Sequence, residues 1–89
     1  MDGDTLVDRA EQLSTRSEFV AFVDELRQNL KEHPDEWENQ SVELFLAGLR
    51  GFAANAEGYY ANIGQTDIDV EVPTWRGFAD MLLAAKVYE

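Results

Sequence analysis

The sequence contains no cysteine. That absence removes disulfides, thiolate metal sites and thiol nucleophiles, and it suits a reducing compartment, so the cytoplasm is the expected location. There is one histidine, His33, and there are two prolines, Pro34 and Pro73. Base is scarce as well: 7 Lys+Arg stand against 18 Asp+Glu, a formal charge of −11. Such a field repels phosphate backbones and anionic headgroups, which argues against nucleic acid and membrane as partners. No apolar run approaches the roughly 20 residues of a membrane span, and the densest, Phe78 to Ala85, is interrupted by Asp80. Met1-Asp2-Gly3-Asp4-Thr5 puts acid where a secretory signal needs base, and no apolar segment follows it.

What remains is a chain of 89 residues that is 45% hydrophobic and 11% aromatic, enough for one core and one domain over residues 1–89. The expected class is mostly all-α, a compact bundle of three to four helices with one extended segment near residues 66–72. Residues 4–13 offer Asp4 or Thr5 as a cap and Leu6, Ala10 and Leu13 at helical spacing, a short helix expected to fray. Thr15-Arg16-Ser17-Glu18 matches a capping box, and Phe19, Phe22, Val23, Leu26 and Leu30 form an apolar stripe that Pro34 ends. Trp37, alone in a polar connector, is expected to fold back onto the core. Asn39 or Ser41 caps a third helix carrying Val42, Phe45, Leu46, Leu49, Phe52, Ala53 and Ala56, with Gly48 and Gly51 inside it for close approach of a neighbour and Gly64 as its stop.

From Asp67 to Val72 acid alternates with Ile68, Val70 and Val72, the period of an extended segment with one dry face. With no second strand in view, it either lies on the helices as a connector or pairs with another chain. Thr74 then caps a last helix whose stripe, Trp75, Phe78, Ala79, Leu82 and Ala85 or Lys86, is joined by Met81, Leu83, Ala84, Val87 and Tyr88. Apolar nearly all round, that helix is either central to the core or half of an interface. Small size, this helix and the unpartnered segment together predict a homodimer, against the opposition of −11 on each copy.

Candidate chemistry is thin. His33 lies near Asp35, Glu36 and Glu38, but beside a proline it reads as a helix terminus rather than a ligand. Asp67, Asp69 and Glu71 lack the calcium-loop pattern. Ser14, Ser17 and Ser41 fall at helix starts, without G-x-S-x-G, and the glycines form no phosphate cradle. No catalytic, cofactor or metal residue is therefore assigned. The candidate interaction surface is Asp35, Glu36, Trp37 and Glu38 with Tyr59 and Tyr60, acid beside amphipathic aromatics.

Thr15-Arg16-x-x-Phe19, Asp35-Glu36-Trp37-Glu38-Asn39, Phe45-Leu46-x-x-Leu49, Gly58-Tyr59-Tyr60 and the ending Trp75, Arg76, Phe78, Ala79, Leu82, Ala84, Ala85, Val87, Tyr88, Glu89 together resemble a family of small bacterial proteins of unknown function. The resemblance covers about residues 14–89 and implies no activity. A looser likeness of size, acidity and the Glu38-Asn39 then Phe45-Leu46 run is to immunity proteins that neutralise bacterial toxins. The resulting expectation is a non-enzymatic protein-interaction domain, able to self-associate. Its alternatives are an immunity-type acidic inhibitor of a basic toxin and a small carboxylate-dependent hydrolase or metal-dependent enzyme.

Overall fold

A computed structural model describes residues 3–87. Five helices follow one another: α1 Gly3–Glu11, α2 Arg16–Glu32, α3 Val42–Ala54, α4 Ala56–Asn62 and α5 Trp75–Ala85, with a 3-10 turn Pro34–Glu36 after α2. No strand occurs among the described residues. The bundle is thus all-α, as expected, with its third helix divided in two. The division falls at Asn55, whose side chain donates back to the Gly51 carbonyl at 3.0 Å and so competes with the helical ladder. The expectations resting on Tyr88 lie outside the described residues.

Local chemistry explains most boundaries. Thr15 caps α2: its hydroxyl accepts from the Glu18 N–H at 3.1 Å while the Glu18 carboxylate accepts from the Thr15 N–H at 3.1 Å. The N–H of Ser14, with the Thr15 hydroxyl and others, holds the Glu18 carboxyl below its ordinary pKa. Ser41 and Thr74 cap α3 and α5 by accepting from Leu44 and Gly77. At the end of α4, Gly64 takes φ +77°, and the N–H groups of Gly64 and Gln65 return to the carbonyls of Ala61 and Tyr60. This is the glycine-terminated Schellman arrangement, open to glycine because a Cβ strains at that φ.

One expectation is corrected, the cap of α1, and one alternative is resolved, the cap of α3 in favour of Ser41. α1 begins at Gly3, so Asp4 and Thr5 lie inside it rather than capping it. The helix is also docked: Leu6 and Ala10 are 0% exposed, and Arg9 pairs with Glu25 of α2 at 2.6 Å. Asn39 does not cap α3. Its backbone N–H donates to the Lys86 carbonyl at 3.0 Å and its side-chain amide to the Ala85 carbonyl at 2.8 Å, satisfying two acceptors that the end of α5 leaves open.

Two apolar clusters form the core. Leu6, Ala10, Phe22, Leu26, Trp37 and Ala79 make the first; Phe52, Ala56 and Tyr60, with Ile68, Val70, Met81 and Ala84 against them, make the second. α5 contributes to both and packs on α1, α2 and α3. That central position accounts for its apolar circumference. Ile68 and Val70 turn inward and Asp67, Asp69 and Glu71 outward, so the alternating segment is a connector laid on the helices. Of the two features that pointed to a second copy, Ile68 and Val70 of the connector and most of α5 are met within the chain, whereas Val72 and Phe78 stay exposed.

Candidate functional site

The connector does not cover α5 fully. An open groove of about 890 Å³ lies between residues 68–74 and the first turns of α5, with Phe52, Tyr60, Val70, Trp75, Phe78 and Met81 among its walls. The wall is fixed by short-range chemistry. Asp69 accepts from the Glu71 N–H at 3.0 Å, the Val72 N–H returns to the Asp69 carbonyl, and Pro73 leads into the Thr74 cap. Trp75 is held by Phe19, ring centroids 5.4 Å apart, and by Phe78 at 5.9 Å. Phe78 keeps 41% of its surface and Val72 56%, so the lip of the groove is apolar and uncovered.

Beneath the groove lies a polar knot. The Tyr60 hydroxyl donates to Asp80 Oδ2 at 2.5 Å, Arg76 Nε donates to the same oxygen at 3.3 Å, and Arg76 Nη2 donates to Gln65 Oε1 at 2.6 Å. The guanidinium also sits 5.6 Å from the centre of the Tyr60 ring. Burial raises the Asp80 pKa against the lowering pull of the Tyr60 and Arg76 contacts. Burial, then the neighbouring Asp80, raises Tyr60 well above a free phenol, and burial raises Tyr59. Tyr60, Arg76 and Asp80 are thus engaged with one another, while Asp69 and Glu71 of the groove wall are exposed.

The six residues expected to form an interaction surface fall in two places. Asp35, Glu36 and Glu38 are exposed around the 3-10 turn, but Trp37 is only 6% exposed, its indole N–H donating to Asn29 Oδ1 at 2.7 Å. Lys86 lies over the Trp37 ring at 5.5 Å, its amine 3.7 Å from Glu36. Tyr60 is likewise buried, at 5%, and Tyr59 is half-buried; both belong to the second cluster. Partners for their polar ends inside the protein turn Trp37 and Tyr60 inward, away from a surface. His33 ends α2, its N–H donating to the Asn29 carbonyl at 2.8 Å. Among the described residues no three His, Asp or Glu side chains converge as metal ligands, and no helix is long and apolar enough to cross a membrane.

The groove itself was hidden from sequence reasoning, though one signal stood in view. An acid inside a helix apolar all round, with an arginine four residues before it, calls for a buried partner, and Asp80 with Arg76 is that pair.

The profile of a family of unknown function, DUF7660, matches residues 15–89, and the chain belongs to that family. No curated protein and no solved structure gave a match.

Proposed function

We propose that this family member is a non-enzymatic protein-interaction domain whose groove receives a basic amphipathic segment of another protein. The observation that carries the reading is the uncovered apolar lip of Val72 and Phe78 over a groove of about 890 Å³, a size suited to several apolar side chains. Asp67, Asp69 and Glu71 are exposed along the connector, and a formal charge of −11 selects Lys or Arg on the occupant's flanks and disfavours an acidic one. Engagement of Arg76, Tyr60 and Asp69 by internal partners favours binding over catalysis. The same acidic rim favours, as a narrower version, an inhibitor of a basic toxin. A cysteine-free composition supports work in the cytoplasm.

The test is an NMR titration of the labelled chain with a helical peptide bearing Leu at i, i+4 and i+7 and Lys between. Saturable shifts in residues 68–78 are expected, with affinity reduced roughly tenfold by Phe78→Asp, the scale of losing one buried anchor. A Glu-for-Lys version of the peptide should bind more weakly, and less so as salt is added. Shifts scattered over the surface, or an affinity indifferent to Phe78→Asp, would remove the groove from the reading.

A further inference from the structure

α3 presents a second apolar row, away from the groove. Val42 is 77% exposed and Leu46 54%, Ala53 is exposed and Leu49 half-buried. At 100° per residue these four lie within a sector of about 60°, beside the face that Phe45, Gly48 and Phe52 turn to the core. They repeat at four, three and four residues, the spacing of a coiled-coil seam. Immediately beside the row stand Glu43 and Arg50, the only charged residues of α3, exposed and seven residues apart. Two turns of helix separate them by about 10 Å, too far to pair with each other. Neither is in an ion pair among the described residues.

We infer that this row is the contact face of a homodimer in which two α3 helices pack antiparallel across a two-fold axis. The argument is one of register. In an antiparallel pair, seam positions meet as layers of unlike position, here Val42 with Ala53 and Leu46 with Leu49, each repeated by symmetry. With those layers set, Glu43 of one copy faces Arg50 of the other, and the same pair recurs on the far side of the axis. A parallel pairing gives neither ion pair, because like positions on that flank diverge. The occupant is thus a second copy rather than an unrelated helix: one row supplies both halves of its own charge complement. On a molecule carrying −11, α3 itself is balanced, one acid and one base, so the two helices add no net repulsion of their own where they meet. A contact one helix of 13 residues long lies at the small end of specific interfaces and implies a reversible dimer with a dissociation constant of roughly 10–100 µM.

Sedimentation equilibrium over roughly 5 µM to 1 mM, in about 0.15 M salt, tests it on the full chain. The apparent mass should climb from 10.1 kDa toward twice that value. Leu46→Glu, at an exposed position and with helicity checked by circular dichroism, should abolish the rise. Glu43→Arg alone and Arg50→Glu alone should each weaken dimerisation several-fold, since each sets like charges opposite each other twice. Mixing the two variants in equal amounts should restore it, because the mixed pair regains both complementary contacts. A constant mass up to about 1 mM, a dimer that tolerates Leu46→Glu, or a mixture no tighter than its components would each overturn the inference.

Discussion

Asp80 is an acid placed where acids are rarely found, 8% exposed on the central helix, and its surroundings determine how it answers to pH. Arg76 and Tyr60 touch it, with Tyr59 and Glu11 acting from further off. Because burial wins over these contacts, its pKa when folded lies above the unfolded value, so the folded chain takes up the proton first. Stability attributable to Asp80 therefore increases as pH falls through the folded pKa and decreases again as pH rises past it. Urea unfolding of the natural chain and of Asp80→Asn, side by side from neutral to about pH 4, isolates this residue because the remaining acids titrate in both. The natural chain should gain on the variant toward acid. A gap that is flat or narrows would show that Tyr60 and Arg76 dominate after all.

Helices illustrate how far local chemistry is readable. The capping box at Thr15, the caps at Ser41 and Thr74 and the stop at Gly64 each depend on residues within about five positions, and all were visible in the sequence. What was not visible depends on distant partners: Tyr60 with Asp80 is a contact over 20 residues, and Asn39 with Ala85 one over 46. α1 lies between these cases. Its three apolar residues suggested fraying, yet Leu6 is fully buried among Phe22, Leu26 and Ala79. Leu6→Ala is accordingly expected to cost about 2–5 kcal/mol in urea unfolding, as for a core leucine, instead of the ~0.5 kcal/mol of a frayed end. α1 precedes the residues that the family profile matches, so that loss would show a segment outside the matched region completing the core.

For the molecule as a whole, acid and apolar surface adjoin at the groove, where exposed Glu71 stands next to exposed Val72. Acid lines the connector and the 3-10 turn, whereas the groove lip and the outer row of α3 are apolar. Composition showed the acid but not this arrangement, in which the second cluster takes in Ile68, Val70, Met81 and Ala84 while Val72 and Phe78 stay exposed. The groove was illegible because it is walled by three separate stretches of chain, around residues 13–14, 52–60 and 68–81, and no one of them carries a motif. Of the expected surface, the acids Asp35, Glu36 and Glu38 are exposed, whereas Trp37 and Tyr60 are buried because each found an internal acceptor, Asn29 and Asp80.

The clasp of Asn39 on the last turn of α5 bears on the order in which the chain acquires its shape. Joining residue 39 to residue 85 closes a loop of 46 residues, an entropic cost that local helices avoid and that must be met before the two hydrogen bonds form. The clasp therefore belongs on the native side of the folding barrier, a latch that slows opening without guiding assembly. Asn39→Ala, which leaves the Ala85 carbonyl without its side-chain donor, should then raise the unfolding rate roughly tenfold, equivalent to about 1.4 kcal/mol, while the refolding rate stays nearly unchanged. Stopped-flow chevrons of the two chains measure both limbs, and a slowed folding limb would instead place the clasp within the nucleus.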